Sequence, residues 1–129
     1  MSRVLVADDH PAYRRGVVRA LERAGHEVVA QAGDGAAALE LVRRLAPDVA
    51  VLDLRMPEAS GSEVAATLRD EGSSTRVLVL SAYIEPEVVS AAIRSGVYAY
   101  LSKDAPRSAI VWAVSAAAAG EPVESLPVV

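Results

Sequence analysis

The chain has 129 residues, 52% of them hydrophobic, no cysteine and a formal net charge of -4. That length suits one domain with one core. The acidic balance argues against bulk attraction to nucleic acid, and the lack of cysteine excludes a disulfide framework and thiol chemistry. No basic stretch leads into an apolar one at the N-terminus, and no run nears the ~18 apolar residues of a membrane helix, so a cytoplasmic location without membrane contact is expected.

In chain order, the first strand runs from Arg3 to Ala7 and stops at Asp8 and Asp9. Tyr13, Val17, Ala20, Leu21 and Ala24 then share one helix face, with Arg15, Arg19, Glu22 and Arg23 mostly away from it. His26 sits in a loop before a second strand, Glu27 to Ala32, and Ala38, Leu41, Val42 and Leu45 mark a second helix. The run Val49-Ala50-Val51-Leu52 ends at Asp53 and is followed by Leu54-Arg55-Met56-Pro57. Gly61, Val64, Ala65 and Leu68 mark a third helix. A fourth strand, Arg76 to Ser81, precedes a helix with Val88, Val89, Ala92 and Ile93 on one face. A fifth strand, Tyr98 to Ser102, stops at Lys103. The last helix starts near Pro106, a residue suited to a first turn, and stops near Gly120. Trp112 is expected to pack that helix, its indole otherwise serving a partner surface. Residues 1–120 form the expected domain, and 121–129, with Pro122 and Pro127, read as a linker.

Strand then helix, five times over, argues for a doubly wound parallel α/β sheet with right-handed crossovers. The strands are continuously apolar, as strands covered on both faces are. In such folds the working crevice lies outside the carboxyl ends of the strands. The strand assignments alone bring Asp8, Asp9, Asp53, Ser81 and Lys103 to that edge.

With those motifs in order, Val6-Ala7-Asp8-Asp9-His10, Val51-Leu52-Asp53-Leu54-Arg55-Met56-Pro57, Leu80-Ser81-Ala82 and Tyr100-Leu101-Ser102-Lys103, the chain resembles the receiver domain of bacterial two-component response regulators. The resemblance covers roughly Arg3 to Gly120. Asp8-Asp9-His10-Pro11, Ala32-Gly33-Asp34-Gly35 and Leu101-Ser102-Lys103-Asp104 resemble the NarL/LuxR-type branch, whose receiver precedes a helix-turn-helix DNA-binding domain. The resemblance implies a flavodoxin-like (βα)5 sheet with strand order 2-1-3-4-5. It implies Mg²⁺ bound by Asp9, Asp53 and the backbone carbonyl of Arg55, with Asp8 acting through water. It also implies a switch in which the Ser81 hydroxyl moves toward a phosphoryl group and Tyr100 turns inward behind it.

The residues support that chemistry independently. Three crowded carboxylates raise each other's pKa, and a divalent cation relieves them. Oxygen ligands at a partly wet site suit Mg²⁺. A single Asp after the first strand would read as a helix cap; the Asp8-Asp9 pair with Asp53 favours metal. Asp53 as nucleophile forms an acyl phosphate, and phosphoryl transfer then needs positioning and counter-charge. Capping by Asp53 is disfavoured because Pro57 and residues 58–61 separate it from the next helix. Lys103 is the only lysine among thirteen basic residues, and a compact ammonium differs from a planar guanidinium. For Tyr100 a core aromatic is the competing reading, since strands favour tyrosine. Arg55 and Tyr83, two residues past Asp53 and Ser81, either flank the site mouth and tune hydrolysis or are simply exposed. His10 reads as a helix-start or loop residue, because no second histidine or cysteine lies at ligand spacing.

The expected function is a phosphorylation-dependent switch rather than a turnover enzyme. A histidine kinase docks near the first helix, where Arg14, Arg15 and Arg19 either help or form a solvated face. The last two helices and fifth strand are the output surface and a possible homodimer contact. DNA is reached only through an output domain beyond this segment, so a fragment of a longer regulator is expected. A scaffold that works without phosphorylation is the alternative. A haloacid-dehalogenase-type phosphatase is less favoured, because Arg55 stands where a second acid is needed. A nucleotide-binding module lacks its Gly-rich loop.

Overall fold

The apolar runs become β1 (Arg3–Ala7), β2 (Glu27–Ala32), β3 (Val49–Asp53), β4 (Arg76–Ser81) and β5 (Ala99–Ser102) in the computed structural model, which describes residues 2–123. Between and after them lie α1 (Pro11–Arg23), α2 (Gly35–Leu45), α3 (Gly61–Asp70), α4 (Pro86–Arg94) and α5 (Arg107–Ala118). All paired strands are parallel, in the order β2-β1-β3-β4-β5. The expected flavodoxin-like topology is therefore present, with its switch point between β1 and β3.

The strand period of two divides the continuous apolar runs between two cores. Val4, Val6, Val49, Val51, Leu78 and Leu80 pack with α1 and α5 through Val17, Leu21, Ile110 and Val114. Leu5, Leu52, Val77, Val79 and Tyr100 pack with α2, α3 and α4 through Val42, Val64, Leu68 and Val89. Each such side chain contributes ~1.5–3 kcal/mol on burial. The same alternation sends Asp8 and Asp53 toward the α1/α5 side, following Val6 and Val51. It sends Ser81 toward the α4 side with Val79.

Several expectations change in detail. β5 begins at Ala99; Tyr98 before it packs against the α1/α5 core, its hydroxyl donating to the Glu121 carbonyl at 2.6 Å and its ring lying 5.5 Å from the Arg76 guanidinium. Pro106 is the cap before α5 rather than a residue of its first turn. Trp112 does not pack α5 onto the sheet: it is 61% exposed, while Ile110, Ala113, Val114 and Ala117 fill the interface. Ile93 is likewise exposed, and α4 is held by Val89 and Ala92. Of the expected linker, the Glu121 amide bonds back to the Ala116 carbonyl at 2.9 Å and Val123 rests on the α1/α5 core; residues 124–129 lie outside the described residues.

Two glycines hold the loop after β3 in place. The Gly35 amide donates to the Pro57 carbonyl at 3.0 Å, and a Cβ at Gly35 would stand 2.1 Å from the Ala59 carbonyl oxygen. The Gly61 amide donates to the Leu54 carbonyl at 2.9 Å, and a Cβ there would meet the Asp53 carbonyl oxygen at 2.7 Å. These obstacles are backbone, so relief requires moving the segment that carries Asp53. Gly35→Ala is expected to cost ~1–3 kcal/mol in urea unfolding. Gly33→Ala, whose nearest neighbour is the Arg14 guanidinium at 3.6 Å, is expected to stay within about 0.5 kcal/mol of wild type. Equal stabilities for the two variants would contradict the close approach.

Candidate functional site

Register builds the site. Ala7 pairs with Leu52, so Asp8 and Asp53 emerge side by side from adjacent strands. Ser81 pairs with Ser102, and the Lys103 amide donates to the Ser81 carbonyl at 2.9 Å. The Lys103 ammonium reaches back across β4, its Nζ lying 2.8 Å from Asp8 Oδ2 and 3.2 Å from Asp53 Oδ2. Asp8 is only 3% exposed and Asp53 6%, whereas Asp9 is exposed. A buried carboxylate is costly without a partner, and here one ammonium serves two.

The electrostatics show how far that compensation goes. Burial pushes the Asp53 carboxyl above its ordinary value, and the Asp8 charge pushes it further; Lys103 and the Arg55 amide, 3.4 Å from Asp53 Oδ1, pull the other way without prevailing. Burial works against the Lys103 charge, yet its bonds to Asp8 and Asp53 and their charges raise its pKa. The lysine is thus firmly charged, and Asp53 remains short of counter-charge.

Neither carboxylate caps a helix. Residue His10 occupies the N-cap of α1 and supplies no side-chain cap bond, and Asp8 Oδ1 accepts the His10 amide at 2.8 Å. The cap of α3 is Ser60, in a reciprocal box with Glu63. The competing capping readings of Asp8, Asp9 and Asp53 are therefore excluded by geometry.

His10 is more involved than its loop position suggested. Its Nδ1 lies 3.0 Å from Asp8 Oδ1, 3.1 Å from Asp9 Oδ1 and 3.8 Å from Asp53 Oδ2. One ligand atom from each of Asp8, Asp9, His10 and Asp53 falls within 4.8 Å of the others. Three of the four are carboxylate oxygens, a donor set that fits a hard divalent cation better than a soft one. The available signal was the spacing: a histidine two residues after Asp8, with Pro11 fixing the first helical turn.

Ser81 and Tyr100 meet on the α4 side. Both are fully buried. Ser81 Oγ accepts the Tyr83 amide at 2.9 Å and is hydrogen-bonded with the Tyr100 hydroxyl, which also donates to the Tyr83 carbonyl. Tyr100 therefore stands inward, with burial raising its pKa. At the rim, the Arg55 guanidinium lies 4.2 Å from the centroid of the Tyr83 ring. Both residues are exposed. Arg14 departs from expectation: its guanidinium folds inward to the Asp8 carbonyl at 2.7 Å and the Ala32 carbonyl at 3.3 Å. It braces the β1–α1 turn, while Arg15 and Arg19 stay exposed.

Comparison with known proteins agrees with this geometry. The profile of the response regulator receiver domain matches residues 4–115. The probable transcriptional regulatory protein NarL of Mycobacterium tuberculosis is 51% identical over 122 residues, which cover 94% of this chain and 56% of that protein. The nitrate/nitrite response regulator protein NarP of Escherichia coli is 42% identical, over 95% of this chain and 57% of its own length. The solved signal receiver domain of NarL from M. tuberculosis superposes with a TM-score of 0.92 at 50% identity, covering 93% of this chain and 98% of that one. A LuxR-family two-component response regulator from Aurantimonas gives 0.90 at 32% identity, covering 97% and 90%. The chain spans little more than half the length of the curated relatives it matches.

The raised Asp53 pKa has a measurable sign. The folded state binds the Asp53 proton more tightly than the unfolded chain does. This residue's contribution to stability is therefore full below the ordinary aspartate value of 3.8 and is lost as pH rises through its higher folded value. Asp53→Asn is expected to be more stable than wild type at pH 7 without divalent cations, on the order of 1 kcal/mol. Its advantage is expected to shrink as pH falls from the raised folded value toward ~4, and to change no further below that. Denaturant midpoints across pH measure this; a variant less stable at pH 7 would refute the account.

Proposed function

The chain belongs to the response-regulator receiver family, and from that premise we propose that it is a phosphorylation-dependent switch whose phosphoacceptor is Asp53. The observation that carries this reading is the Lys103 ammonium bridging two buried carboxylates at the carboxyl edge of the sheet.

The Asp53 carboxylate attacks the phosphorus of a phosphohistidine on a histidine kinase. A carboxylate oxygen–phosphorus bond forms, the phosphorus–nitrogen bond breaks, and the imidazole leaves with the bonding pair. The attacking group is the ionised carboxylate, so no base takes part in the step. Esterification removes the charge of the Asp53 carboxylate and places more charge on the phosphoryl oxygens, where Lys103 follows it. Asp8, Asp9, Asp53 and the Arg55 carbonyl would hold Mg²⁺. When bound, it supplies the further counter-charge that the three carboxylates and the phosphoryl group require.

Ser81 donates to a phosphoryl oxygen, and that demand competes with its bonds to the Tyr83 amide and Tyr100 hydroxyl. Shifting a population from mostly off to mostly on takes ~5.5 kcal/mol of differential affinity. Two or three hydrogen bonds to a charged group, at ~1.5–3 kcal/mol each, are enough. Tyr100 carries the change toward α4, β5 and α5, the output surface and homodimer contact. Arg55 and Tyr83, stacked at the mouth, regulate water access to the acyl phosphate. Residues beyond Gly120 lead to a DNA-binding output domain of the kind found in NarL-type transcription regulators. The protein then acts in the cytoplasm.

Incubation with a small acyl phosphate and Mg²⁺, followed by intact mass measurement, tests the chemistry. One phosphoryl group is expected on wild type and none on Asp53→Asn. Lys103→Ala is expected to slow the gain about 10²-fold or more. Absence of any gain with several donors would leave the phosphorylation-independent scaffold. Separately, Mg²⁺ at about 100 times its Kd is expected to stabilise the unphosphorylated protein by ~2.7 kcal/mol. Asp9→Asn is expected to lose most of that gain in thermal unfolding; an unchanged gain would remove Asp9 from the metal site.

A further inference from the structure

One aromatic ring beside the site is not accounted for by the phosphoryl chemistry. Tyr13, in the first turn of α1, carries Lys103 Nζ 4.7 Å from its ring centroid. The Arg107 guanidinium, from the first turn of α5, lies 4.5 Å from the same centroid. Both distances are within cation–π reach. Arg107 gets there by lying against α1 at Gly16, where a Cβ would stand 2.8 Å from its Nη2. The Tyr13 hydroxyl is buried and has no hydrogen-bond partner among the described residues. It is the ring that makes the contacts.

We propose that Tyr13 is a positioning residue for Lys103, its ring face holding the ammonium at the acidic edge while Arg107 clamps the ring from α5. The inference rests on the reading of Lys103 as the phosphoryl counter-charge.

A lysine needs such help here. Its four-carbon stem is flexible and its ammonium is a point charge without preferred direction. In the resting site two carboxylates hold it, but one of them is Asp53. Once Asp53 is esterified, its attraction changes place, and Lys103 must stay near while the charge moves. The ring quadrupole does not depend on the state of Asp53. It keeps the ammonium within reach of both the carboxylate and the incoming phosphoryl oxygens. A groove beside Tyr13 is lined by His10, Ala12, Ala82 and Lys103.

Because Lys103 is the only lysine in the chain, isotope-labelled lysine gives one side-chain signal to follow by NMR. In wild type its ε-methylene protons are expected upfield of their position in the unfolded protein, shifted by the Tyr13 ring current. Tyr13→Phe is expected to keep that shift and to phosphorylate within about twofold of wild type. Tyr13→Leu is expected to lose it and to phosphorylate roughly five- to tenfold more slowly. A wild-type signal at the unfolded position overturns the inference, and this measurement needs no variant to fold. So does a Tyr13→Leu protein that phosphorylates as fast as wild type, or a Tyr13→Phe protein as slow as Tyr13→Leu, which would assign the role to the hydroxyl. Wild type that accepts no phosphoryl group would instead overturn the reading of Asp53, with the NMR shift still reporting on the contact itself.

Discussion

Everything at the carboxyl edge of this sheet is organised by a shortage of positive charge. Asp8 and Asp53 are buried side by side, Asp9 stands next to them, and one ammonium bridges the buried pair. The bridge is strong enough to hold Lys103 charged against its own burial. It does not bring Asp53 down to an ordinary carboxylate. A site in that condition has oxygen donors placed within reach of one hard cation.

The rest of the fold serves to keep that arrangement from relaxing. Parallel pairing aligns the ends of β1 and β3, so the two acids cannot separate without unpairing central strands. The loop carrying Asp53 onward is pinned where Gly35 and Gly61 let backbone approach backbone. Arg14 ties the turn after β1 to β2 through the Asp8 and Ala32 carbonyls. On the opposite face of the sheet, Ser81 and Tyr100 form a buried hydroxyl pair tied to Tyr83. Both hydroxyls already have partners, so any new acceptor near Ser81 must compete with existing bonds.

The errors of the sequence reading share one cause. Large apolar residues on an amphipathic helix usually face inward, yet Trp112 and Ile93 are exposed and the small residues Ala113, Ala117 and Ala92 hold the interfaces. Close helix–sheet packing uses alanine, and hydrophobicity alone does not reveal which face it selects. Arg14 was read as a surface charge, and its inward fold depends on carbonyls from two different strands. His10 stands at the start of α1 as its position implies, and its carboxylate partners are assembled by the fold. In each case the deciding neighbour is remote in sequence.

The sequence by itself determined the elements, their alternation and the residues that end the strands. Apolar runs of strand length and helical spacings are local, and a carboxylate or lysine at the end of such a run is visible without a fold. It also marked Asp53, Asp8, Asp9, Ser81 and Lys103 as one edge, because parallel topology follows from the alternation. Only the tertiary structure decided which of these touch, that Lys103 answers to two acids, and that Tyr13 and Arg107 stand beside it. Those contacts depend on strand register and on the approach of α1 to α5. The physical reason is range: hydrophobic periodicity is written within a few residues, whereas charge compensation is settled between strands and helices far apart in the chain.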